Sequence, residues 1–309
     1  MQLIRGMYNV KMPFTGTALT IGNFDGVHLG HQAVLSHLRE KANALNLPTV
    51  VMLFEPQPRE YFTPNQAPAR LMRLRDKLHY LAKMGVDYVI CIRFNQAFAA
   101  LTADEFVALL VQKLRVRFLS VGDDFRFGAH RQGDFAYLQQ AGQTFGFQVE
   151  DNPSFNLNGE RVSSTAIRHA LAQGDLEHAA CLLGRTYSLQ GRIVHGNKLG
   201  RTIGFPTANV MLHRKVVPLK GVFAVKVRLK SGEILTGVAN LGNRPTINGV
   251  TPLLEVHLFD FNRDIYGQTI EVMLCHKIRD EIKFPSFEAL KAQITQDAKT
   301  ARLYFRPAR

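Results

Sequence analysis

From the amino terminus to about residue 150, two hydrophobic patterns alternate along the chain. Continuous apolar runs at 18–21, 49–54, 88–92, 118–121 and 147–149 read as short strands covered on both faces. Between them lie stretches of helical period. The first, 32–45, places Val34, Leu35, Leu38, Ala42 and Leu45 on one face, and the others cover 71–84, stopped by Gly85, then 104–114 and 135–145. Within 55–64, Pro56, Pro58 and Pro64 argue against both helix and central strand. Strands alternating with helices predict crossover units and a mostly parallel sheet. Ligands of such sheets bind beyond the carboxyl ends of the strands. The loops at 22–31, 55–64 and 122–128 all follow strands and are expected to share one rim.

After Tyr187 the period changes. Short alternating runs at 188–194, 208–210, 223–229, 234–240, 253–259 and 269–274 are separated by turn signals such as Ser231-Gly232 and Asn248-Gly249. They predict an antiparallel barrel or sandwich, closed by one helix at 287–303. The expected fold is α/β with a Rossmann-like parallel sheet, followed by an antiparallel β-barrel. The boundary falls near 183–187, giving domains 1–184 and 185–309. No internal repeat is visible.

Bulk properties narrow the class. The 309 residues suffice for two domains. No apolar run approaches the roughly 18 residues of a membrane span. The opening residues lack the pattern of a signal peptide. Cys91, Cys181 and Cys275 stand far apart with no CxxC pair, which argues against a disulfide framework or zinc site and makes a reducing, cytoplasmic setting the expectation. A net charge of +13 invites a nucleic-acid partner. There is, however, no run of five basic residues and no RNP-type aromatic motif, so no nucleic acid and no membrane is expected. Monomer and weak homo-oligomer both stay open.

The candidate chemistry centres on Gly22-Asn23-Phe24-Asp25-Gly26-Val27-His28-Leu29-Gly30-His31. A glycine-rich turn here joins a strand to a helix start. Unpaired N–H groups at such an end attract phosphate, and two imidazoles can donate to phosphate oxygens as charge builds. A second helix start offers Ser164, read as its cap, with Thr165 and Arg168; Gly174 ends that helix after Ala172. Such a helix could equally be an ordinary capped element. Neither GxxxxGK[ST] nor GxGxxG after a strand occurs.

These segments resemble a known family. Residues 22–31 look like the HxGH signature of nucleotidyltransferases, in the form found in bacterial bifunctional riboflavin kinase/FMN adenylyltransferases (FAD synthetases). The segments 122–128 and 163–168, then Pro206-Thr207-Ala208-Asn209, 240–246 and 254–260, resemble further motifs of that family, in order and across nearly the whole chain. The resemblance implies two activities: ATP-dependent phosphorylation of riboflavin to FMN by the second domain, then adenylyl transfer from ATP to FMN by the first, giving FAD and pyrophosphate. It implies Mg²⁺ with ATP. His28 and His31 would stabilise charge on the ATP phosphates. Gly22, Phe24, Asp25 and Gly30 would line the nucleotide, and Ser164, Thr165 and Arg168 would hold the departing phosphates. The flavin would lie near Phe54, Pro56, Pro58, Phe62, Asp124 and Phe127. In the second domain Glu255 would be the general base, and Thr207 and Asn209 the metal ligands. Gly196, Lys198, Gly200 and Arg201 would hold ATP phosphates, and Arg279 and Phe284 would lie beside riboflavin. Two other readings compete: a nucleotidyltransferase for a different acceptor with an accessory β domain, and a basic nucleic-acid binder that turns over no ATP.

Overall fold

The computed structural model describes residues 1–11, 14–152, 154–195, 204–246 and 249–306. They form two compact units: Met1–Pro68 with Arg73–Val162, and Ala69–Met72 with Ser163–Arg309.

The first unit runs β1 (Gln2–Arg5), β2 (Thr17–Ile21), α1 (Leu29–Ala44), β3 (Thr49–Glu55), α2 (Pro58–Phe62), α3 (Leu74–Lys83), β4 (Tyr88–Arg93), α4 (Gln96–Ala99), α5 (Ala103–Ala108), β5 (Val116–Val121), α6 (Phe135–Phe145) and β6 (Gln148–Asp151), then the hairpin β7 (Asn156–Leu157) and β8 (Glu160–Arg161). Six strands form one sheet in the order β1-β4-β3-β2-β5-β6, every neighbour parallel. Alternating side chains explain the unbroken apolar runs. Leu19, Ile21, Val50, Met52 and Leu119 face a core with Phe106, Leu110 and Leu138. Ala18 and Phe118 point the other way, onto Leu38 and Ala42 of α1. From β2 the chain builds outward through β3 and β4, then returns to lay β5 on the other side of β2. The switch point therefore lies beside the carboxyl end of β2, where the 22–31 loop begins.

Several elements differ from expectation. The proline-rich stretch holds a short helix, α2, because Pro58 occupies its first position, where a missing N–H costs nothing. Helix α3 starts at Leu74, three residues later than its pattern suggests, because residues 69–72 belong to the other unit. Helix α5 passes into a π-helical turn, Leu109–Lys113. The strands β1, β7 and β8 and the helix α4 are too short for periodicity to reveal.

Strand β6 is tied to α1 by charge. Glu150 takes Lys41 Nζ at 2.5 Å and His37 Nε2 at 2.8 Å. Partial burial raises the Glu150 carboxyl, but these two partners outweigh it and hold the carboxyl below its ordinary value. The depressed group contributes stability that is present above its unfolded pKa and lost as pH falls through the lower folded value. In urea titrations Glu150→Gln should therefore cost about 1 kcal/mol or less near neutral pH, given solvent screening. The difference should vanish in acid; a gap that widens in acid would contradict the assignment.

The second unit holds α7 (Ser164–Gln173), α8 (Leu176–Leu183), β9 (Ser188–Val194), β10 (Ala208–Met211), β11 (Gly221–Arg228), β12 (Ile234–Thr246), β13 (Gly249–Leu258), β14 (Thr269–Arg279) and α9 (Phe287–Tyr304). Of the two β architectures predicted, the barrel is the one present: it closes in the order β10-β13-β12-β11-β14-β9, with β9 pairing β10. Val222 and Ala224 of β11 lie under Ala298 and Ala301 of α9, and the alternate residues Phe223, Val225 and Val227 are completely buried. From Val222 to Val225 this strand is thus covered on both faces.

Candidate active sites

The loop after β2 is strained in a way its sequence explains. Phe24, Gly26 and Val27 all have positive φ, at 45°, 90° and 41°. Glycine adopts this conformation freely; a β-branched valine does so at a cost that surrounding structure must offset. Val27 is 1% exposed, Asp25 2% and His28 6%. Gln32 Nε2 donates to the Val27 carbonyl at 3.0 Å. His28 caps α1, its Nδ1 accepting from the His31 N–H at 3.3 Å. That acceptor role puts the proton on Nε2, which can donate to an anion. The two rings stack with centroids 3.6 Å apart, and Phe24 lies 4.8 Å from His31. A Cβ on Gly30 would press on the His28 ring at 3.2 Å and the Val162 carbonyl at 3.3 Å, so glycine lets the imidazole pass. No acidic residue stands in the first turn of α1. Stacked donors at a helix start, beside a sheet switch point, suit phosphate oxygens.

The sequence reading missed Lys77, which is 2% exposed and donates Nζ to the Asn23 carbonyl at 2.5 Å. The available signal was a lysine placed between Leu74 and Leu81 on the buried stripe of α3. Lys77→Met should cost about 2 kcal/mol in urea denaturation, because a buried carbonyl loses a charged donor. An unchanged midpoint would show that the loop does not depend on this anchor.

On the same sheet edge, Phe54 packs with Phe94 and Phe98 at centroid distances of 5.8 and 5.6 Å. Pro58 begins α2, Pro56 precedes it, and Phe62 at its end is 63% exposed, against Phe94. Gln57 is 7% exposed, and its Nε2 has no hydrogen-bond partner among the described residues. Neither Gln57 nor Phe94 was singled out from sequence. In the loop after β5, Asp124 is exposed. Phe127 instead lies in the core, between Phe106 at 4.9 Å and Phe125 at 5.7 Å, and of these two loop rings only Phe125 is half-exposed.

In the second unit Ser163, not Ser164, caps α7: its Oγ accepts from the Ala166 N–H at 3.1 Å. Two serines in succession make the sequence ambiguous by one position. Ser164 and Thr165 are the first two helical residues, and Arg168 Nε donates to the Ala69 carbonyl at 2.6 Å.

Barrel pairing assembles a polar row. Asn209 of β10 stands opposite Glu255 of β13, and Glu255 stands opposite Asn240 of β12. Directly opposed residues share a face, with Cβ atoms about 5 Å apart. The row continues to Val222 of β11 and to Arg279 of β14. Asn209 is 8% exposed. Thr207, two residues before Asn209, lines a cavity of about 500 Å³ with Ile193, Val256, Leu258, Arg263 and Tyr266. The Tyr266 ring stacks on His195 at 4.0 Å. Arg279 grips Asp297 of α9 at 2.7 Å and lies 5.6 Å from the centre of the Phe284 ring. The four expected phosphate contacts Gly196, Lys198, Gly200 and Arg201 lie outside the described residues.

A parallel α/β unit with paired imidazoles at its switch point, joined to a barrel with a glutamate between two asparagines, defines a two-part phosphate-transferring enzyme. The family model for FAD synthetase matches residues 11–166, and that for riboflavin kinase matches 183–305. Bifunctional riboflavin kinase/FMN adenylyltransferases of Haemophilus influenzae and Escherichia coli K12 are 65% and 56% identical, over 99% of this chain and 99% and 98% of theirs. A Streptococcus pneumoniae crystal structure, described as a macrolide-efflux protein, aligns with a TM-score of 0.83 at 31% identity, over 97% of this chain and 98% of that one. Among the described residues no helix is long and apolar enough to cross a membrane. The chain belongs to the family of bifunctional riboflavin kinase/FMN adenylyltransferases and carries both activities.

Proposed function

We propose that the chain converts riboflavin to FMN at the barrel and FMN to FAD at the α/β unit, each step consuming ATP. The stacked His28–His31 pair at the start of α1 carries the second assignment. The FMN phosphate attacks the α-phosphorus of ATP and pyrophosphate leaves. His28 and His31 donate to the phosphate oxygens as charge grows, and the chain's main contribution is positioning and charge neutralisation. Gly22, Phe24, Asp25 and Gly30 shape the nucleotide side. Ser164, Thr165 and Arg168 hold the β- and γ-phosphates. The flavin lies along Phe54, Pro56, Pro58 and Phe62, with Asp124 at the edge and the Gln57 amide as an available donor. Phe127 acts from behind, supporting Phe125.

At the barrel, Glu255 takes the proton from the ribityl hydroxyl as that oxygen attacks the γ-phosphorus of ATP, whose bond to the β,γ-bridging oxygen breaks to release ADP. The cavity lined by Thr207, Arg263 and Tyr266 takes the nucleotide. Arg279 shapes the riboflavin side through Asp297 and Phe284. Magnesium fits the donors: Thr207 Oγ1 and Asn209 Oδ1 are hard, neutral oxygens. With only these two protein oxygens as candidate ligands, ATP phosphates and water would complete the coordination of such an ion. The ion supplies neutralisation of phosphate charge.

The functional division is set at 1–184 and 185–309, supported by the two family matches. A cytoplasmic setting is supported by three free thiols. Incubating the purified chain with riboflavin, ATP and Mg²⁺ should give FMN and then FAD by flavin chromatography. Absence of both products would overturn the proposal, and FMN alone would overturn the adenylyl step.

A further inference from the structure

Residues Ala69–Met72 belong to the second unit, while the chain on either side belongs to the first. Three side chains of the second unit hold their backbone. Arg168 Nε donates to the Ala69 carbonyl at 2.6 Å. The Tyr187 hydroxyl donates to the Leu71 carbonyl at 3.1 Å. Arg214 Nη1 donates to the carbonyls of Arg70 at 2.9 Å and Leu71 at 3.3 Å, and lies 3.5 Å from the Tyr187 hydroxyl. Leu71, Met72 and Tyr187 are 1%, 7% and 4% exposed, so water competes little for these bonds.

Arg214 is an expensive choice for this task. Its Nε and Nη2 are buried with no hydrogen-bond partner among the described residues. Burying unsatisfied charged donors destabilises, and a neutral donor could satisfy two carbonyls at lower cost. What the network does beyond holding itself is fix Ala69, and Ala69 orients Arg168. An arginine spread over many rotamers must lose that freedom when it grips a phosphate; one tethered at Nε has already lost much of it.

We propose that Arg214 and Tyr187 are positioning residues for adenylyl transfer, acting through Ala69 on the Arg168 guanidinium. The inference rests on the reading of Arg168 as a ligand of the ATP phosphates. Two residues at the barrel side of the chain thereby serve the reaction of the other half.

The test uses the intact chain and two assays: FAD formation from FMN at varied ATP, and FMN formation from riboflavin. Arg214→Met should lower kcat/KM for ATP in adenylyl transfer about tenfold and leave the kinase within about twofold. Arg214→Lys, which keeps a cationic donor, should recover most of the loss. Tyr187→Phe removes one hydroxyl while keeping the ring, and should act in the same direction more weakly. Arg168→Ala sets the scale, and the double variant Arg168→Ala/Arg214→Met should be no slower than Arg168→Ala alone, because both act through one group. Additive losses, equal losses in both assays, or a near-native Arg214→Met beside an impaired Arg168→Ala would each overturn the inference alone. A near-native Arg168→Ala would overturn the reading of Arg168, and the inference with it.

Discussion

His28→Ala should lower FAD formation from FMN and ATP by at least about a hundredfold while riboflavin phosphorylation stays within about twofold. Three effects combine. The variant removes an Nε2 donor from the place where phosphate charge grows, and it removes the Nδ1 cap that fixes the His31 N–H. It also unstacks the partner ring, now 3.6 Å away. His31→Ala should cost a similar factor. His28→Ala/His31→Ala should cost less than the product, because each ring positions the other. Steady-state assays of both reactions on the same preparation decide this. A folded variant that loses both activities would show that the two reactions do not have separate sites.

The converse result is expected from the barrel. Glu255→Gln should cut riboflavin phosphorylation about a thousandfold, mainly in kcat, while leaving FAD formation intact when FMN is supplied. Glutamine keeps the side chain's size between Asn209 and Asn240 but cannot accept a proton. A loss confined to KM would make Glu255 a binding group and not the base. Asn209→Ala should weaken the same reaction and raise its Mg²⁺ requirement, since a neutral oxygen ligand is lost. An unchanged Mg²⁺ dependence would remove Asn209 from the ion.

Much of this was legible along the chain because the responsible forces are local. The strands of the parallel sheet were visible since burial on both faces demands uninterrupted apolar residues. The phosphate loop was visible since a glycine turn between a strand and a helix has few other uses. The row Asn209–Glu255–Asn240 was visible only as separate motifs, because which residues stand opposite one another is fixed by barrel register, which spans 46 positions between Asn209 and Glu255. Lys77 was missed because period analysis treats a lysine as a solvated residue, yet here its ammonium reaches a carbonyl from inside. The core position of Phe127 was missed for a related reason: composition cannot tell a phenylalanine that stacks on a ligand from one packed against Phe106. Least legible was the crossing of residues 69–72 into the second unit, since nothing in Ala69-Arg70-Leu71-Met72 distinguishes it from the start of α3.

That crossing makes the molecule indivisible by a single cut. A fragment beginning at Ser163 would lack Ala69–Met72, and with them the three carbonyls, of Ala69, Arg70 and Leu71, that engage Arg168, Tyr187 and Arg214. The complementary fragment would carry Ala69–Met72 without the three side chains that hold their backbone. Gene fusions, truncations and circular permutants should therefore keep 69–72 and 163–309 in one polypeptide, and a protease nick near Val162 should leave two pieces that stay together without denaturant.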